Sequence, residues 1–227
     1  MPMTALIPRA IAVANGKGGC GKSTLVANLS VHAARESSRV ALLDYDPNQA
    51  LSRWWDRRED MLNPRLWRGA ENARQDVPEI KRSGAEFVFL DLPPATQHLI
   101  DDGIAVADLV LIPCRPSPMD LDAIDTVIET AQAFKKPFRF VLMAYDSTWN
   151  LSESAEPFLE ERAPGHLLPT RTRYSPAYVA SMTDGLTGPE YRGNKKQAAD
   201  ARKEIDAIWG AVLVLLQGIP AEGAVCR

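Results

Sequence analysis

The sequence predicts an α/β protein built on a single doubly wound, mostly parallel sheet with helices on both faces. Two observations predict it. Short apolar runs alternate with helix-patterned stretches along almost the whole chain, the order that repeated βαβ units impose. Within those runs apolar residues follow one another without polar alternation, as in strands covered on both faces. With 227 residues, 45% of them hydrophobic, the chain has enough apolar material for one well-buried domain and little for a second. Residues 1–227 are therefore taken as one domain, with a last helix at 195–217 packed against it and a tail at 218–227.

The strands expected, in order, are Ile11–Ala14, Val40–Leu43, Phe87–Leu90, Leu109–Ile112 and Phe138–Met143, with a weaker candidate at His166–Leu168. Between them the 3.6-residue pattern predicts helices at Lys22–Arg35, Gln49–Met61, Leu121–Phe134 and Glu153–Arg162. A final helix over Lys195–Gln217 carries Ala198, Ala201, Ile205, Ile208, Val212 and Leu215 on one face, a stripe that reads as packing against the domain. Segment 183–194, "TDGLTGPEYRGN", is Gly-rich and polar and reads as a mobile loop.

The formal net charge of −3 excludes a bulk polycation. The three cysteines, Cys20, Cys114 and Cys226, are far apart and include no C-x-x-C pair. Neither a disulfide framework nor a zinc site is suggested, and a cytoplasmic setting is expected. The N-terminus lacks the basic and long apolar regions of a secretory signal, and "AIWGAVLVLLQG" is shorter than the ~20 residues of a membrane span.

Residues 16–24 read "GKGGCGKST". Gly16, Gly21, Lys22 and Ser23 satisfy G-x-x-x-x-G-K-[ST], the phosphate-binding loop, in the strand–loop–helix context its mechanics require. Gly16, Gly18, Gly19 and Gly21 let successive N–H groups, that of Cys20 included, turn toward phosphate oxygens. The helix that follows presents its positive end to the same anion. Lys22 suits the β- and γ-phosphates, Ser23 a Mg²⁺ ion and Thr24 the α-phosphate, so ATP with Mg²⁺ is the expected cofactor pair and the fold reads as a P-loop NTPase. Cys20, at a helix N-terminus, is a candidate for a lowered thiol pKa and oxidation; Cys114 reads as a buried structural thiol.

Lys17 is an additional lysine that an ordinary phosphate loop does not need. "KGGxGK[ST]" resembles the deviant phosphate loop of the ParA/MinD family of ATPases. The resemblance implies that Lys17 reaches a partner subunit's nucleotide, which couples dimer formation to hydrolysis in the manner of an arginine finger. "DYDPNQ" at 44–49 resembles the family's D-x-D-P-Q, with Asn48 where glutamine is usual. It implies water positioning by Asp44 and a switch role for Asp46. "FVFLDLPPA" ends a strand in Asp91, placed to hold Mg²⁺ through water. Leu92 stands where the family often has threonine. "IPCRPSP" at 112–118 is similar to the small ParF-type members. The asparagine that many relatives use for adenine after the fifth strand is missing from "VLMAYD", so backbone groups near Pro169–Arg173, including Pro169 and Arg171, are assigned to the base.

From Arg162 to Lys203 eight basic residues face three acidic ones, a local excess of +5. Such an asymmetry suits phosphate contacts to DNA without sequence preference. Arg171, Arg173, Lys195 and Lys196 are the candidates. The resemblance thus implies an ATP-bound homodimer on nucleoid DNA, released when a small cargo-bound partner of ParB type stimulates hydrolysis, the cargo being a plasmid or chromosome centromere complex or, as in relatives with similar sequences, another cellular body. Two alternatives stand beside it. A MinD-like membrane cycle wants an amphipathic basic C-terminal helix, and the tail "IPAEGAVCR" carries no such pattern, so no membrane partner is expected. A metabolic enzyme with a related loop, such as an amide-forming synthetase or an iron–sulfur reductase, would show substrate-dependent ATP turnover or paired cysteines at a dimer face.

Overall fold

The computed structural model describes residues 7–36, 38–59, 63–117 and 121–220. Six strands form one sheet in the order β3-β2-β4-β1-β5-β6. They are β1 (Arg9–Val13), β2 (Val40–Asp44), β3 (Arg65–Leu66), β4 (Phe87–Asp91), β5 (Leu109–Cys114) and β6 (Phe138–Leu142). Every pairing is parallel. Because successive side chains alternate sides, the sheet divides its neighbours into two layers. Ala10 and Ala12 of β1 face a core completed by the helices α3 (Ala73–Arg82), α4 (Gln97–Val106), α5 (Asp125–Ala133) and α6 (Asn150–Arg162). Ile11 and Val13 face a second core completed by α1 (Lys22–Arg35), α2 (Ala50–Asp56), α7 (Pro176–Thr183) and α8 (Lys195–Gln217).

The five expected strands are present, and β2, β4 and β5 run on to Asp44, Asp91 and Cys114. His166–Leu168 makes a strand-like bridge instead of a full strand: Phe140 N–H donates to His166 O (2.9 Å) and Leu168 N–H to Phe140 O (3.0 Å). The second helix is shorter than its pattern, since α2 ends at Asp56. Met61, residues 118–120 of the proline-rich loop and residues 221–227 of the tail lie outside the described residues.

Three helices and a two-residue strand, β3, go beyond the sequence reading, each for a local reason. Pro78 sits inside α3, and only Ala73, Val77 and Ile80 of its ten residues are buried, so its apolar stripe is thin. α4 buries Ile100, Gly103 and Ile104. α7 is eight residues long and starts at Pro176, capped by the Ser175 hydroxyl, which accepts the Ala177 N–H at 3.2 Å.

Segment 183–194 is largely irregular, as a loop was expected to be, but side-chain bonds tie it down. It contains a 3₁₀ turn at Gly188–Glu190 clasped to α1 and α2. The Arg58 guanidinium donates to both Glu190 carboxylate oxygens at 2.9 Å, and Arg35 donates to one of them at 2.9 Å. Arg58 also reaches Gly185 O at 3.0 Å, and the Trp54 indole N–H reaches Leu186 O at 2.9 Å. Burial alone would raise the Glu190 carboxyl, but hydrogen bonds and charge from Arg58 hold it down to about 2.

α8 is seated through Trp209, whose ring meets Phe87 edge-on at 4.9 Å and whose indole N–H donates to Glu36 at 2.9 Å. Among the described residues no helix is long and apolar enough to cross a membrane. Trp209→Ala should cost about 3–5 kcal/mol of stability, because it removes a buried ring and leaves a cavity at the α8–sheet joint. A fall in the urea unfolding midpoint at unchanged slope would register it.

Candidate functional site

The sheet register assembles the site. Val13 on β1 and Asp44 on β2 both lie opposite Asp91 on β4. The phosphate loop leaves β1 and two acidic residues end the neighbouring strands, so loop and carboxylates meet at the carboxyl edge where α/β sheets open their crevices. A cavity of about 770 Å³ opens there, walled by Gly18, Gly19 and Gly21–Thr24 together with Asp46.

The loop has the geometry of an anion cradle. Gly16 packs so closely on the α5 approach that a Cβ there would lie 2.7 Å from the Ala123 carbonyl oxygen. Gly21, at φ 101°, is the N-cap of α1, and no side chain caps that helix end. No acidic residue lies in the first turn, so its N–H groups face the cavity as donors for an anion. Lys22 is 5% exposed and its ammonium donates to Lys17 O at 2.9 Å. Lys17 is half-buried, its N–H donates to the Asn15 side chain at 2.8 Å, and it does not line the cavity of its own protomer. Cys20 is fully buried with its thiol 3.4 Å from Lys17 O, and Cys114 is buried on β5. Cys20 is thus enclosed by the loop at the start of α1.

Asp91 is fully buried and neither carboxylate oxygen has a hydrogen-bond partner. Burial pushes its pKa up to about 7. The Ser23 hydroxyl and the Lys22 ammonium act in the opposite direction, although Ser23 and Asp91 fall short of a full hydrogen bond. Two orphaned oxygens beside a serine hydroxyl fit the outer shell of a hydrated Mg²⁺, a hard cation that takes oxygen ligands and keeps its waters.

Asp44 is held by α2. Its Oδ2 accepts the N–H and the hydroxyl of Ser52, each at 2.8 Å, and its Oδ1 accepts the Asp46 N–H at 3.2 Å. Burial raises the Asp44 pKa, and the Ser52 bonds offset part of that. Asp46 lines the cavity, and its Oδ1 accepts the Asn48 N–H at 2.9 Å. Nothing in the sequence pattern singles out Ser52.

Pro169 and Arg171 are not brought to this cavity. They line a separate one of about 230 Å³ with Glu156 and Glu160. The reason is the bridge beside β6: the chain runs along the sheet edge through Leu168 and meets the main cavity only at Thr172. Arg171 pairs with Glu156 and lies over the Tyr145 ring at 4.4 Å. Arg173 lines the main cavity and pairs with Glu204 (3.0 Å) and Asp200 (3.5 Å) on α8. Lys195 and Lys196 are exposed at the start of α8. Of the four basic candidates, then, two are matched by carboxylates from α6 and α8. Arg53, Arg57 and Arg115 line the cavity and are cations that the sequence reading passed over.

The family described as "CobQ/CobB/MinD/ParA nucleotide binding domain" matches residues 11–179. This chain belongs to that family. Maintenance of carboxysome distribution protein A of Halothiobacillus neapolitanus is 29% identical over 204 residues, covering 86% of this chain and 93% of the relative. Protein ParA of Rhizobium radiobacter is 35% identical over 118 residues, 48% of this chain and 50% of the relative. Among solved structures, the septum site-determining protein MinD of Pyrococcus horikoshii, complexed with Mg-ADP, aligns at a TM-score of 0.72 and 17% identity, covering 92% of this chain and 98% of that one. The family and the P-loop fold expected from the loop are thus as found. The proline-rich segment suggested the small ParF-type partition proteins, whereas the relative covered over 93% of its length is named for carboxysome distribution.

The buried acids set a pH dependence for this CobQ/CobB/MinD/ParA domain. A carboxyl whose folded pKa is raised, as for Asp91, stabilises fully below its unfolded value of 3.8 and loses that contribution as pH rises through about 7. Glu190 acts oppositely, but its contribution is complete above 4.5. Thermal melts of nucleotide-free protein should therefore show Tm falling between about pH 5 and about pH 8. Asp91→Asn should flatten that slope, Asp44 and Glu204, both raised by burial, supplying what remains.

Proposed function

We propose that this protein is an ATP- and Mg²⁺-dependent, dimerising ATPase that positions a cargo inside the cell. The observation that carries the reading is the cradle itself: an uncapped helix N-terminus and a buried lysine beside an orphaned carboxylate. Support comes from the family match and from neighbours whose structures hold nucleotide, namely MinD with Mg-ADP and a Cyanothece McdA variant with ATP.

In this reading the N–H groups of Gly18–Thr24 and the Lys22 ammonium bind the α-, β- and γ-phosphates. Ser23, and Asp91 through water, hold Mg²⁺, which when bound neutralises charge on the β- and γ-phosphates. Asp44 orients a water on the γ-phosphorus; attack breaks the β–γ bridge and releases ADP and phosphate. Asp46 registers the change at the cavity wall. Lys17 supplies its ammonium to the partner protomer's triphosphate, so the ATP-bound homodimer is the hydrolysing form.

Cargo positioning is preferred because the relative matched over nearly its full length is named for carboxysome distribution. Plasmid or chromosome partition is the second reading, favoured by the ParA match. Both cycles use a nucleoid-associated dimer and a cargo-bound adaptor, of ParB type in the second reading. In both, DNA contact falls to Lys195 and Lys196, with Arg171 and Arg173 contributing when their carboxylates are displaced.

Lys17→Ala should keep nucleotide affinity within about threefold while abolishing ATP-dependent dimers in light scattering and lowering phosphate release at least about tenfold. Dimers and turnover at wild-type level would overturn the role of Lys17. Lys22→Ala should lose nucleotide binding itself. Duplex DNA of arbitrary sequence should retain the protein with ATP at low salt and release it with ADP or as salt rises. Lys195→Glu combined with Lys196→Glu should abolish that retention, while equal retention with ADP would remove the switch.

A further inference from the structure

Two large aromatic side chains stand exposed at the nucleotide cavity with no role in the chemistry above. Trp149 is 48% exposed and Tyr174 is 61% exposed. Both line the cavity that begins at the phosphate loop, and their ring centroids lie 5.7 Å apart at 35°. Leaving two rings half in water forgoes the burial that normally places such residues inside.

Their backbone supports are firm. Trp149 ends a turn in which Asp146 Oδ1 accepts the N–H (2.9 Å) and hydroxyl (2.7 Å) of Thr148, and the Trp149 N–H donates to Asp146 O at 3.1 Å. The Tyr174 N–H donates to Tyr145 O at 2.8 Å. The two rings are thus presented by loops tied to the end of β6.

Other hydrogen bonds close by weigh against the alternative. A base read along its edge would need free backbone groups near Thr172–Tyr174. Thr172 N–H donates to Leu142 O (3.0 Å), and Thr172 O accepts from Tyr145 N–H (2.8 Å). Arg173 N–H donates to Glu204 (3.2 Å). The Thr172 hydroxyl accepts the Ala144 N–H at 3.1 Å. These N–H groups, the Thr172 carbonyl and the Thr172 hydroxyl are engaged within the protein, which leaves few groups there to read a base edge.

We propose that Trp149 and Tyr174 form a stacking platform that holds the nucleobase by its face, so that this site takes purine nucleotides with little discrimination between adenine and guanine. The inference rests on the nucleotide-binding reading above and concerns only how the base is held. Stacking is tolerant of base identity because every base has a π-face, and it favours the larger purine ring.

The test is calorimetric titration with Mg²⁺-ADP, GDP, CDP and inorganic pyrophosphate. Diphosphates are used because Lys17-dependent dimer formation is assigned to the triphosphate. ADP and GDP should bind within about tenfold of each other, with CDP weaker. Trp149→Ala and Tyr174→Ala should each weaken ADP by about tenfold, leave pyrophosphate unchanged, and be rescued by Trp149→Phe and Tyr174→Phe. Retained pyrophosphate binding shows that the variants fold. Unchanged ADP affinity, or discrimination between ADP and GDP beyond about a hundredfold, would overturn the platform and leave the ATPase reading standing. Loss of ATP-dependent dimers at unchanged ADP affinity would likewise overturn it and assign the rings to the subunit interface. Wild-type protein that binds pyrophosphate but no nucleoside diphosphate would overturn the platform, and failure to bind any of these anions would remove the nucleotide reading itself.

Discussion

The register of β4 between β1 and β2 is the constraint on which the site depends. It sets Asp91 opposite both Val13 and Asp44, under a phosphate loop that leaves the end of β1. A parallel strand slipped by one residue would turn every side chain to the other face. Asp91 would then leave the loop, and Val88 and Leu90 would exchange layers with Phe87 and Phe89. The apolar alternation of β4 between the two cores therefore fixes a carboxylate beneath Ser23. That position is costly for an isolated anion, and a divalent cation with its waters would satisfy it.

Asp44 is stabilised in a different way. It ends β2 and accepts two hydrogen bonds from Ser52 in the first turn of α2. The other end of α2 is bound through Trp54, and through Arg58 just beyond it, to the 185–190 segment. That segment leads, through Asn194, whose side chain accepts the N–H groups of Lys196 and Gln197, into α8. One short helix thus joins the acidic end of the sheet to the exposed lysines of α8.

Charge is distributed more evenly than the linear count implies. The +5 excess between Arg162 and Lys203 meets carboxylates from outside it or from α8: Asp125 pairs with Arg162, Glu156 with Arg171, and Asp200 and Glu204 with Arg173. Cations not counted in that stretch, Arg53, Arg57 and Arg115, join Lys22 and Arg173 on the cavity wall, where Asp46 is the acidic lining residue among those described. The positive field is centred on the nucleotide cavity as much as on α8.

The strands, α1, the phosphate loop and the acidic strand ends were legible in the sequence because they rest on local patterns: uninterrupted apolar runs, glycine spacing, and a carboxylate closing a strand. Those patterns determined the fold class and half of the site. Tertiary structure decided the rest. It parted Arg171 and Pro169 from the cavity, brought Trp149 and Tyr174 to it, engaged Ser52 with Asp44 and pinned the Gly-rich 183–194 segment through Arg58 and Glu190. Each of these depends on a partner outside the local repeat, eight or more residues away, and a one-dimensional pattern carries the chemistry of a residue without the identity of the neighbour that engages it.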